Sequence, residues 1–165
     1  MNLENQPLVE LSEILLPSMH LKLGLIKNSV KSMNQEAAFI TYEKTFPRVS
    51  EAKLKESILI GPQIRDLMKD EYFDKLLQDD EKAVWESFKF VVKGFLGNRR
   101  AQNYEDLVNN LLQSYQKLGC NMSLKIHFVH SHLDFFPENC GAVNNEQGER
   151  FYQDRSSMEK RYKGK

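Results

Sequence analysis

The sequence predicts an all-α fold, an irregular bundle of about seven to nine helices, on three observations. At least four segments place apolar residues at the 3.6-residue period of a helix with one buried face. No clean two-residue alternation continues for more than a few positions. Eight glycines and five prolines in 165 residues leave the chain sparsely punctuated, which suits helices better than a many-turned β fold. That length makes one domain, and folding should bury roughly 70% of the surface the unfolded chain exposes.

Residues 1–17 read as a lead-in, apolar but without a clean period and stopped by Pro17, so a single helical domain is expected over 18–165. Its first helix opens after Ser18, with Met19, Leu23, Ile26, Val30 and Met33 at successive buried positions. A shorter helix follows near Gln35–Thr45, ending before Phe46-Pro47. Ser50 can cap a helix through about Ser57, and Gly61-Pro62 can open another with proline in its first turn. A short amphipathic piece covers Glu71 to Leu77. Asp79 or Asp80 then caps the strongest helix, whose stripe is Val84, Phe88, Val91, Val92, Phe95 and Leu96. Gly97-Asn98-Arg99-Arg100 reads as its exit loop.

Asn103 caps the next helix, which presents Tyr104, Leu107, Val108, Leu111, Leu112, Tyr115 and Leu118 on one side and ends at Gly119. Met122 to Phe136 reads as a buried helix, although the stretch within 124–129 also reads as a short strand. Pro137 to Ala142 forms a turn, and a last helix spans 145–162 with Phe151, Met158 and Tyr162 inward. Phe88, Val92, Leu107, Leu111 and Leu112 are the expected centre of the core.

Charge narrows the function. Lysine plus arginine total 23 against 23 aspartates and glutamates, so no global field draws the chain onto nucleic acid or lipid. Two cysteines, Cys120 and Cys140, are too few for a disulfide framework or a four-cysteine zinc site, and read as free thiols in a reducing compartment. No apolar run is long enough to span a membrane, and the N-terminus lacks a signal-peptide layout. The expected location is intracellular, with no membrane partner.

Local groups remain. His20, Gly24, Lys27 and Lys31 share one face of the first helix, where lysines could approach phosphates over a bare glycine; otherwise it is a solvated face. Arg99 and Arg100 make a second basic spot, or simply complement a helix C-terminus. His127, His130 and Asp134 fall within about 60° on a helix and could ligate zinc or a similar ion, with His132 pointing elsewhere; the alternative is a polar face. Glu146 and Glu149 lie opposite Phe151 on the last helix, where a carboxylate could hold a catalytic metal or merely pair, as Glu146 with Arg150.

Five blocks carry a family resemblance: Leu16-Pro17-Ser18-Met19-His20-Leu21-Lys22-Leu23-Gly24-Leu25, Gly61-Pro62-Gln63-Ile64, Val92-Lys93-Gly94-Phe95-Leu96-Gly97-Asn98, Gly119-Cys120-Asn121-Met122-Ser123-Leu124-Lys125-Ile126-His127 and Glu146-Gln147-Gly148-Glu149-Arg150-Phe151. In order and spacing these resemble transposon-encoded proteins of invertebrate genomes, similar to cut-and-paste transposases with an RNase H-like core. The resemblance implies a C-terminal-half fragment, with 18–140 as an insertion-like helical region. It makes Glu149 the last metal-binding acid, with Glu146 as alternative, and only if partner acids are supplied. Full-length relatives of this kind would use Mg²⁺ or Mn²⁺; no cofactor is expected for this chain. Tyr152 and Ser18 depart from the more usual histidine and proline of the pattern.

A lone glutamate cannot clamp two metals, so the chain by itself is not expected to cut DNA. The expected function is therefore a catalytically incomplete transposase-like fragment that binds DNA weakly and non-specifically through His20, Lys27, Lys31, Arg99 and Arg100. Its location would then be the nucleus rather than the cytoplasm. The rival expectation is a helical module for a protein partner or self-association, without nucleic acid.

Overall fold

The computed structural model describes residues 18–33 and 61–142. Among these residues there are six α-helices, one 3₁₀ turn and no strand: α1 (Ser18–Ser32), α2 (Gly61–Leu67), α3 (Glu71–Leu76), α4 (Asp79–Gly94), α5 (Tyr104–Leu118) and α6 (Leu124–Ser131), followed by the turn Leu133–Phe135. The expected helices at 35–45, 50–57 and 145–162, and the lead-in 1–17, lie outside the described residues.

α4 and α5 form an antiparallel hairpin with the most extensive contact of the fold, and α1 packs across α4 and α6. The ends of these helices follow local chemistry. Asp70 caps α3 by accepting from the Tyr72 and Phe73 amides at 2.9 and 3.4 Å. Gln78, not Asp79 or Asp80, is the cap position of α4, and its amide donates to Glu81 Oε2 at 2.9 Å. The two aspartates sit inside the first turn instead, where they face the positive end of the helix dipole. Gly119 closes α5 at φ 72°, a left-handed conformation that glycine adopts without steric cost.

The core is centred on Trp85, Phe88, Phe95, Tyr115, Phe73 and Leu111. Phe88 and Leu111 take their expected places, but Val92, Leu107 and Leu112 are only half-buried at its edge. Leu107 leans on Gly94 and lines the outer groove between α4 and α5, whereas α1 covers the other side of α4. α3 widens the buried arc so that Trp85 joins it, with Phe73 edge-on at 5.1 Å and Phe88 stacked at 5.4 Å.

The segment expected to be one helix or a strand from Met122 to Phe136 is a short α-helix and a 3₁₀ turn. Ser123 caps α6, and the chain leaves the helix at His132 (φ −133°, ψ 43°). Between them Ile126 and Val129 point into the core.

Both cysteines are buried and free. Burial pushes the Cys120 and Cys140 thiols up, opposed by the Ser32 hydroxyl at the first and by Arg100 and Lys22 at the second. Burial also pushes the Tyr115 hydroxyl up, against its bond to Ser29. These groups are neutral when protonated, so their stabilising effect is full below the unfolded-state pKa and is lost as pH rises through the folded one. The urea midpoint should therefore hold to about pH 8 and fall as pH passes the ordinary thiol and tyrosine ranges, about 8.5 and 10. A midpoint constant from pH 8 to 10.5 would contradict this.

Candidate nucleic-acid interface

α1 is fixed on the core by polar bonds as well as by apolar ones. Ser18 Oγ donates to the Cys140 carbonyl at 3.0 Å. Deep in the core, Tyr115 donates to the Leu25 carbonyl at 2.8 Å and meets Ser29 Oγ at 2.8 Å. On the α6 side, Asn28 Nδ2 donates to the Asn121 carbonyl at 3.2 Å and to Ser123 Oγ at 3.1 Å, tying α1 to the start of α6. Met19, Leu21, Leu25, Ile26 and Val30 are buried, which leaves His20 and Lys31 exposed and Lys22 and Lys27 half-exposed.

At Gly24 a side chain of α6 comes close to α1. A Cβ there would sit on the Lys125 side chain, 3.3 Å from its Cβ and Cγ and nearer still to its Cδ. The Lys125 stem therefore lies across α1 midway along the stripe of His20, Gly24, Lys27 and Lys31, and adds a cation to it. Among the described residues no carboxylate pairs with Lys27, Lys31 or Lys125.

Charge is divided between two sets of helices. α1 and α6 hold Lys22, Lys27, Lys31 and Lys125 and no aspartate or glutamate. α2 to α5 hold nine carboxylates against six cations. Among the described helices of a chain with formal net charge zero, α1 and α6 thus form an acid-free pair and α2 to α5 an acidic set. All four histidines belong to the acid-free pair: His20 on α1, His127 and His130 on α6, and His132 at its C-cap.

The two arginines differ. Arg99 is exposed at the rim of a cleft of about 600 Å³ that also borders Tyr104, Glu138 and Asn139. Arg100 is half-buried, with its guanidinium carbon 4.7 Å from the Tyr104 ring centre and 5.5 Å from that of Phe95. Its Nη2 donates to the Phe136 carbonyl, and its Nε is buried without a hydrogen-bond partner among the described residues. Arg100 holds the α4–α5 loop against the turn after α6, so its charge is spent inside the fold.

The candidate metal set is not brought together. α6 stops at Ser131, so Asp134 lies in the 3₁₀ turn and loses the helical spacing that would have aligned it with His127 and His130. The Tyr104 hydroxyl is raised chiefly by its bond to Glu105, with Asp134 the smallest contributor. His132, expected to point elsewhere, packs edge-on against His127 at 5.5 Å. Ser131 Oγ lies 3.2 Å from both His127 Nδ1 and His130 Nδ1. No group of three His, Cys, Asp or Glu among the described residues could hold a metal ion. Glu146 and Glu149 lie outside the described residues.

Lys125 escaped the sequence reading because its place beside Lys27 depends on the crossing of two helices distant in the chain. The one local signal was Gly24, a residue without a side chain in mid-helix, which marks a close approach.

Residues 18–97, from the start of α1 to three residues past α4, match the model of a domain of unknown function (DUF8704). No curated protein and no solved structure matches the chain. No helix among the described residues is long and apolar enough to cross a membrane.

Proposed function

We propose that this chain is a catalytically incomplete, transposase-like domain that binds nucleic acid weakly and without sequence preference through α1 and α6. The observation that supports it is the acid-free pair, in which Lys27, Lys31 and Lys125 gather on one face of a neutral chain. Lysines at helical spacing act as point charges for phosphates and position a protein without reading bases. Arg99, exposed in the α4–α5 loop, offers a further cation; Arg100 does not. On this reading the last acid of the resembled enzymes is Glu149 or Glu146, which has no partner set among the described residues and by itself holds no Mg²⁺ or Mn²⁺ pair. An irregular bundle of seven to nine helices in all and a nuclear location complete this reading.

A second reading, docking of a protein partner or a second copy, draws on Phe90, 59% exposed beside a groove of about 300 Å³ between α4 and α5. Amine labelling read by mass spectrometry separates the two. With a 20-base-pair duplex at low salt, Lys27, Lys31 and Lys125 should be protected while Lys82, Lys93 and Lys117 react as before. Protection confined to Lys117 and the α4–α5 groove would move the interface there and reject the α1/α6 face.

A further inference from the structure

α6 and its flanks carry apolar residues on the outer side as well as the inner one. Ile126 and Val129 fill the core, yet Leu124 is 69% exposed, Met122 just before it 65%, and Phe135 just after it 43%. Phe128 stands one turn beyond Leu124 and is half-buried. Four rings meet at the end of the helix around His132. Phe128 and His127 each lie 5.5 Å from it and Phe135 lies 6.2 Å away, with His127 also 6.2 Å from Phe128.

This strip adjoins the acid-free pair. Lys125 flanks it toward α1, and Asp134, exposed in the 3₁₀ turn beside Phe135, is the one carboxylate between Ser123 and Phe136. Exposed and half-buried rings beside Lys125, on a surface shared with Lys27 and Lys31, match a strand whose bases are free to stack and whose phosphates need neutralising. A duplex keeps its bases stacked on one another and offers the rings nothing. An apolar peptide would leave the cations without a counter-charge.

We propose that His127, Phe128, His132 and Phe135 form a base-stacking strip, and that the ligand of the α1/α6 surface is single-stranded nucleic acid. This inference rests on the phosphate-binding reading of that surface and specifies its ligand. Phosphates run along Lys27, Lys31 and Lys125, and one or two bases lie on the rings at the end of α6. Stacking is sequence-tolerant because every base has a π face.

Fluorescence anisotropy on the full chain tests it with three probes at one salt concentration: a 20-mer of thymidine, an abasic 20-mer of equal charge, and a 20-base-pair duplex. The thymidine strand should bind about fivefold or more tighter than the abasic one for each base stacked. His132→Ala with Phe135→Ala, both at exposed positions, should erase that difference while duplex affinity and its salt dependence stay as in the wild type. Equal affinity of the wild type for the thymidine and abasic strands overturns the stacking strip, and needs no variant. Salt-dependent duplex binding in that same experiment would leave the basic layer standing. If affinities are equal and sedimentation shows self-association that the double variant abolishes, the strip belongs to a second copy and the proposal falls. No binding of any probe at low salt removes both readings.

Discussion

Trp85→Ala is expected to cost about 3–5 kcal/mol of stability, enough to unfold most of a marginally stable domain at 37 °C. The indole is wholly buried between Phe73 and Phe88, and its removal leaves a cavity where α3 and α4 meet. Its Nε1 donates to Asp74 Oδ1 at 2.6 Å, while Lys89 Nζ reaches both Asp74 oxygens at 2.9 and 2.7 Å and lies over the indole ring at 5.5 Å. The carboxylate keeps Lys89 when the indole is lost, so the cost is chiefly one of packing. Trp85→Phe should cost less, about 1–2 kcal/mol, because it restores most of the volume but not the N–H donor. Urea unfolding measures both, and a loss below 1 kcal/mol for the alanine variant would show that α3 does not close this side of the core.

Arg100→Ala should cost about 2–3 kcal/mol and leave nucleic-acid binding unchanged. The charged hydrogen bond to the Phe136 carbonyl accounts for about 1.5–3 kcal/mol and the ring contacts for about 0.5–1, with partial overlap. Arg100→Lys should recover little, since an ammonium cannot lie flat against Tyr104 while reaching that carbonyl. Retained stability together with a salt slope reduced by about 0.9 would mean that Arg100 spends its charge on phosphate instead.

Helix positions were legible wherever one face is apolar and the ends carry caps. The stripes of α1, α4 and α5 and the stop at Gly119 follow from side chains within each segment. α6 was legible only in part. With apolar residues on both sides it has no clean period to distinguish helix from strand, and no glycine or proline at Ser131 or His132 marks its early end. Trp85 was missed because its cover comes from α3, outside its own helix.

The candidate site divides in the same way. Lys27 and Lys31 are one turn apart and readable as a pair. Lys125 joins them only through the crossing at Gly24. Arg100 looked like its neighbour Arg99 in sequence, and the rings of Phe95 and Tyr104 set them apart. The charge balance misled most, since a net charge of zero concealed that the carboxylates of the described helices all lie on α2 to α5 while α1 and α6 carry lysines alone.

The salt dependence of duplex binding tests that separation most directly. Affinity of the full chain for a 20-base-pair duplex would be followed from 20 to 200 mM salt, beside the variant Lys27→Ala/Lys31→Ala/Lys125→Ala. Each phosphate contact adds about 0.9 to the slope of log K against log salt, so the variant should be flatter by up to about 2.7, with its urea midpoint near that of the wild type. A variant slope equal to the wild-type slope would contradict the assignment of the α1/α6 layer as the nucleic-acid face.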